Sequence, residues 1–239
     1  MCLLGGDLQK ITTVGFDADD TLWHNERFFR LSQDSFAELI GEFAEPDHLN
    51  ERLLAAEKRN LLRYGFGIKG FVLSMIETAI EVTDSQVPVA TIGKILDLGH
   101  EMLAHPIDLL PHAAESVSAV AQTHRVILIT KGDLMDQERK LAQSGLGELF
   151  QAVEIVSDKT PDRYRRIFER HGDGSDRGMM IGNSVKSDVT PMLQAGGWGV
   201  HVPHELVWDL EHADLPADSD RFRQLPTLAP LPELLREIG

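Results

Sequence analysis

The stretch ITTVGFDADDTL, residues 11–22, decides how the rest of the chain is read. Ile11, Val14 and Phe16 are apolar, Thr12 and Thr13 are β-branched, and Gly15 is small. A short run of this kind fits a strand covered on both faces. Asp17 and Asp19 follow at once, with Thr21 two residues further on. Open α/β sheets bind ligands at the carboxyl ends of their strands, so these acids fall where chemistry is expected. With one residue between them, both carboxylates can be aimed into one crevice. One then serves as nucleophile or metal ligand while the other moves protons. The alternative is an Asp-rich loop in which Asp20 or Thr21 caps the next element.

Beyond this strand the texture is helical up to about Leu110. Residues 26–43, 46–64, 71–82 and 88–103 carry Phe, Leu, Ile and Met at helical spacing, and Gly65, Gly67 and Gly70 punctuate the second join. Such stripes read as the core of a helix bundle. From Pro111 the pattern changes to alternating elements. Helices are expected over residues 113–122, 134–143, 161–171 and 187–194, and strands over 126–129, 153–156, 179–181 and 199–202. A last helix is expected over 233–238. Alternation of this kind implies parallel strands joined by crossover helices. The predicted fold is α/β: a doubly wound, Rossmann-like parallel-sheet core with an inserted all-α domain. The core spans residues 1–22 and 111–239, and the insert 23–110. Residues 1–10 read as a loosely ordered lead-in.

The 239 residues carry a formal charge of −15, with apolar residues at 42%. That is enough for a substantial core. It disfavours a general nucleic-acid binder, which needs a basic surface to neutralise phosphates. A small phosphorylated substrate stays open, because a bound cation and one or two lysines reverse the field locally. Cys2 is the only cysteine, so neither an intrachain disulfide nor a zinc–cysteine site is expected. There is no apolar run of membrane-spanning length and no signal-peptide pattern, so a cytoplasmic protein without a membrane partner is the expectation.

The later strands also end in polar residues. Thr130, Lys131 and Gly132 follow VILI; Lys159 follows VEIV; GNSVKSD, residues 182–188, follows MMI. In a parallel sheet these ends point the same way, into one crevice with Asp17 and Asp19. A lone lysine or threonine after a strand is ordinarily a solvated charge or a helix cap. The whole set in turn reads as one catalytic site.

These motifs resemble those of the haloacid-dehalogenase superfamily of hydrolases: DADDT at 17–21, Thr130, Lys159 and GNSVKSD at 182–188, in the family's order. The helical insert sits where one class of that family carries an α-helical cap. The resemblance implies Asp17 as nucleophile and Asp19 as general acid and base. It implies magnesium held by Asp17, the main-chain carbonyl of Asp19, and Asp188. Lys159 would neutralise charge on Asp17 and the phosphoryl group, while Thr130, with main-chain N–H groups near Lys131 and Gly132, would hold phosphoryl oxygens. Trp23, His24 and Asn25 fall at the family's short flap, where His24 either touches substrate or packs. One departure stands out: the fourth motif often begins Gly-Asp, and position 183 here is Asn. Asn183 then offers a carbonyl oxygen to the ion, directly or through water, or merely caps a turn.

The function this implies is a magnesium-dependent phosphatase acting on a small phosphate monoester through an aspartyl-phosphate. A 2-haloacid dehalogenase would use the same nucleophile on carbon but needs no second acid. A phosphomutase, and a phospho-ligand-binding protein with a relic site, are further alternatives. A signalling receiver domain also sets Asp, Thr and Lys on a parallel sheet, but its nucleophile lies on a later strand than its acidic pair.

Overall fold

In the computed structural model of the chain, residues 10–43 and 45–238 are described. Apart from Lys10, the lead-in expected over residues 1–10 lies outside them. The first strand, β1 (Thr13–Phe16), is buried at every position. After it come helices α1 (Glu26–Ile40), α2 (Pro46–Tyr64), α3 (Ile68–Val82) and α4 (Val89–Ala104), then α5 (Ala113–Ala121). The alternating part follows as β2 (Arg125–Lys131), α6 (Leu134–Ser144), β3 (Ala152–Val156), α7 (Pro161–His171), β4 (Gly178–Gly182), α8 (Thr190–Gln194), β5 (Trp198–His201), β6 (Phe222–Gln224) and α9 (Leu231–Ile238). The strands form one sheet in the order β3-β2-β1-β4-β5-β6. β1 pairs in parallel with both β2 and β4, β4 with β5, and β5 with β6. Strand order reverses on either side of β1, so the sheet is doubly wound and the ends of β1 and β4 flank its switch point.

The chain divides into two compact units. The sheet unit comprises the described residues up to His24, Asp108–Thr130, and those from Ser144 onward. One of its faces is packed by Ile127, Ile129, Met180, Tyr164, Ile167 and Phe168, which join β2, β4 and α7. The chain leaves this unit after His24 and again after Thr130. At the first excursion the outgoing and returning segments are paired: Leu110 N–H donates to Leu22 C=O at 2.9 Å and His24 N–H to Asp108 C=O at 3.0 Å.

The helical unit comprises Asn25–Ile107 and Lys131–Gln143. Its core joins Phe36, Leu53, Phe71, Met75 and Ile95 from four helices. Residues 131–143, which lie outside the 23–110 segment marked out in the sequence, are tied into it by polar contacts. Lys69 Nζ donates to Asp133 Oδ2 at 2.9 Å, and Lys140 Nζ to Asn25 Oδ1 at 2.8 Å. Among the described residues, no helix is long and apolar enough to cross a membrane.

Two local differences from the sequence reading have physical reasons. The helix expected from residue 187 begins instead as a wide π turn over Val185–Val189 and turns α-helical only at Thr190. Pro191 has no N–H to give an α-helical ladder, so the chain can enter loosely. The edge strand β6 is three residues, FRQ, too short and too polar to produce a strand pattern.

Candidate active site

Register brings the candidate residues to one level of the sheet. Phe16 lies opposite Leu128 on β2 and Ile181 on β4, so the chain past Phe16, Leu128 and Ile181 emerges at one edge. Asp17 is held there by its own amide, which donates to the Ile181 carbonyl at 2.8 Å. Thr130 stands near the end of β2 and is buried.

Lys159 arrives from the neighbouring edge of the sheet. Ser157 and Asp158 bridge the end of β3 to the lysine, whose N–H donates to Asp158 Oδ1 at 2.9 Å. The helix α7 starts immediately afterwards, with Thr160 Oγ1 accepting from Arg163 N–H at 3.3 Å and Pro161 in its first turn. A strand end on one side and a capped helix on the other therefore fix where the lysine stem departs.

The lysine head joins two acids. Lys159 Nζ donates to Asp17 Oδ1 at 2.5 Å and to Asp188 Oδ1 at 2.6 Å. All three side chains are buried. Asp188 reaches this position from the π turn, folding back over the end of β4 so that its Oδ2 accepts the Ser184 N–H at 3.0 Å. Gly182 makes this possible: a Cβ there would lie inside the space of the Asp188 carboxylate. The turn itself is braced. Tyr164, buried on α7, donates its hydroxyl to the Ser187 carbonyl at 3.0 Å, and Ser184 Oγ and Ser187 Oγ each donate to Glu211 Oε2 at 2.5 Å.

Two carboxylates facing one ammonium leave the trio a net negative charge in a buried place. Burial pushes the Asp17 carboxyl up to about 7, against the pull of Lys159 and with a further push from Asp188. Burial alone would lower the Lys159 ammonium, but the two carboxylates outweigh it and hold it above its ordinary value. Lysine therefore stays charged, and Asp17 is the acid whose charge burial disfavours. This is the situation a bound divalent cation relieves. The nearby donors suit a hard ion: carboxylate oxygens of Asp17 and Asp188, and the amide oxygen of Asn183.

Asn183 is drawn into the site through Thr21. Its N–H donates to Thr21 Oγ1 at 3.0 Å, and Thr21 Oγ1 donates to Asp17 Oδ2 at 3.0 Å, with Asn183 Oδ1 3.3 Å away. The carbonyl of Asn183 lies 3.0 Å from His201 Nε2. Asp19 is held by an interaction the sequence did not disclose: the Trp23 indole N–H donates to Asp19 Oδ1 at 2.8 Å.

Lys131 and Gly132 belong to the helical unit. The Lys131 ammonium lies 4.1 Å from the centre of the Phe66 ring, a cation–π distance. Gln137 donates its amide to the Lys131 carbonyl at 2.8 Å, and Gly132, at φ 134°, leaves the space that this side chain fills. Sequence reasoning also passed over Tyr164 and Glu211. Tyr164 lies on the buried stripe of α7, where it reads as core, and Glu211 lies in a polar tail segment, where it reads as surface.

A family model described as haloacid dehalogenase-like hydrolase matches residues 11–196. The crystal structure of a haloacid dehalogenase-like family hydrolase from Xanthomonas campestris is 40% identical, with a TM-score of 0.86 over 97% of this chain and 93% of that one. The chain belongs to the haloacid dehalogenase-like hydrolases. Two more distant structures share the fold. The HAD-hydrolase YfnB from Bacillus subtilis, bound to magnesium, is 15% identical with a TM-score of 0.65 over 95% of this chain and 99% of that one. L-2-haloacid dehalogenase from Xanthobacter autotrophicus, with chloropropionic acid covalently bound, is 17% identical with a TM-score of 0.60 over 96% and 100%. No curated protein matches the sequence.

Proposed function

We propose that this hydrolase is a magnesium-dependent phosphatase of small phosphate monoesters. The fold serves both phosphate esters and haloacids, so side chains must decide. The observation that carries the reading is Asp19, a second carboxylate on the loop of Asp17, oriented by the Trp23 indole. Displacing halide from carbon leaves a weakly basic anion that needs no proton. Displacing an alkoxide from phosphorus needs an acid.

Asp17 attacks phosphorus, the bond to the leaving oxygen breaks, and Asp19 gives that oxygen its proton. Asp19, now a carboxylate, takes a proton from water. The water oxygen bonds to phosphorus, the acyl-phosphate P–O bond breaks, and Asp17 is regenerated with release of inorganic phosphate. Lys159 stays charged throughout, shared between Asp17 and Asp188, and offsets charge on the nucleophile and the transferring group. Thr21 fixes the Asp17 carboxylate from its other oxygen. Asp17, Asp188, the Asp19 main-chain carbonyl and Asn183 would hold magnesium, whose charge would reduce the repulsion between an anionic nucleophile and an anionic substrate. Thr130 is assigned to phosphoryl oxygens, with the main-chain N–H groups of Lys131 and Gly132.

The test is release of inorganic phosphate from a panel of small phosphate monoesters, with magnesium and with chelator, beside release of halide from 2-haloacids. Magnesium-dependent phosphate release without halide release is expected. Halide release that survives chelation would overturn the reading.

A further inference from the structure

We propose that Asp20, His24 and His204 form a second metal site, selective for a zinc-class divalent transition ion. It involves none of the residues assigned to magnesium. The three side chains present one carboxylate oxygen and two imidazole nitrogens, all within 4.8 Å of one another. His204 Nε2 lies 3.4 Å from His24 Nδ1 and 3.6 Å from Asp20 Oδ1. Both separations are long for hydrogen bonds between these groups. They are close to the roughly 3.3 Å that separates two ligands on one tetrahedral ion with bonds of about 2.0–2.1 Å. The donor set points the same way. Imidazole suits zinc, copper, iron and nickel, whereas magnesium takes oxygen ligands. Two histidines and one carboxylate leave room for water or a further ligand.

The surroundings fit a held site. The side chains of Asp20 and His204 are 8% and 9% exposed, and His24 is half-buried. Asp20 adopts φ 59°, the left-handed region, which a glycine would take without strain. His204 Nδ1 lies 3.0 Å from the Leu206 carbonyl and 3.2 Å from the Leu206 N–H. These contacts on Nδ1 fix the ring so that Nε2 faces Asp20 and His24. Histidine ligands are commonly set by such a bond on the far nitrogen. The ion would clasp the loop after β1 to the loop after β5, fixing the chain that follows Asp19.

The experiment uses the full-length, tag-free protein, stripped with chelator and then titrated with zinc or cobalt(II) in excess magnesium. One ion per chain is expected, with a rise in Tm because the ion binds the folded state. X-ray absorption of the wild-type zinc form should show two imidazole ligands, a readout that needs no variant. His24→Asn and His204→Asn should each weaken binding more than about tenfold, while Asp188→Asn, which touches the magnesium set alone, should leave it unchanged. The proposal fails if no zinc is retained in excess magnesium, if the absorption data show an all-oxygen site, or if Asp188→Asn abolishes binding while the histidine variants do not.

Discussion

The indole of Trp23 donates its N–H to Asp19 Oδ1 at 2.8 Å, with Trp23 wholly buried four residues beyond the acid it holds. A carboxylate on a loop has two soft side-chain torsions. A buried donor on one oxygen restricts them. Trp23 is thus a positioning residue for the proposed acid. Trp23→Phe keeps most of the ring and removes the donor. A hydrogen bond to a charged group is worth about 1.5–3 kcal/mol, so kcat on alkyl phosphates should fall about ten- to a hundredfold. Activated aryl phosphates should lose less. An equal loss on both substrates would mean the variant has only loosened the fold, and a parallel Tm measurement would show the same.

Asp19→Asn tests the acid directly. Alkyl phosphates need a proton on the departing oxygen, whereas an aryl oxide leaves with little help. Single-turnover measurements should therefore show a much larger loss for alkyl than for aryl substrates in formation of the phosphoenzyme. Its hydrolysis should slow equally for both, because the intermediate is the same. Identical factors in the first step would remove Asp19 from the role of acid.

Asp17 yields a prediction about stability. Its carboxyl is raised from 3.8 to about 7 in the folded chain, chiefly by burial. Between those values the folded state holds a proton that the unfolded state has lost. Stability of the metal-free protein therefore falls as pH rises through this window and levels off above it. Asp17→Asn abolishes that titration. In chelator, the variant's advantage in Tm should be small near pH 4 and full by about pH 8. It should lose activity by orders of magnitude, since the attacking oxygen is gone. Magnesium binding displaces the same proton, so affinity should rise with pH up to about 7. A Tm difference between variant and wild type that is the same at both pH values would show that Asp17 does not titrate this way.

Much of this site could be read from the sequence because strand ends in a parallel sheet must converge. The run from Ile11 to Phe16 announces a buried strand, so the acids after it have one place to go. The same logic carries Lys159 and Asp188: the Lys159 ammonium donates to both Asp17 and Asp188. The supports were hidden, since each depends on a contact far along the chain. Glu211 accepts from two serines of the Ser184–Asp188 turn, and nothing near residue 211 marks it as more than a surface acid. His204 meets His24 across 180 positions, and no local pattern pairs them. Trp23 read as one of three flap residues, because an indole N–H four residues after an acid is not a motif. The edge strand β6 was missed for a different reason: three residues cannot show a period.

Asn183 separates charge from geometry in the proposed magnesium site. Its amide oxygen lies 3.3 Å from Thr21 Oγ1, the hydroxyl that also holds Asp17. Asn183→Asp keeps an oxygen in that place and adds a negative charge. The buried trio already carries two acids for one ammonium, so the variant without metal should be less stable than wild type. The same charge should draw the cation more strongly, and half-maximal activity should come at a lower magnesium concentration. Asp188→Asn works in the opposite sense. It removes one of the two carboxylates facing Lys159, which relieves the repulsion on Asp17 and takes away a ligand. The metal-free protein should hold its Tm or gain, while the magnesium requirement rises by about ten- to a hundredfold, the range seen even for groups that only support a metal ligand. Magnesium titrations of activity, paired with Tm in chelator, read both effects on the same three proteins. If Asp188→Asn keeps the wild-type magnesium dependence, the ion does not sit between Asp17 and Asp188, and the charge argument built on Lys159 has to find another cation.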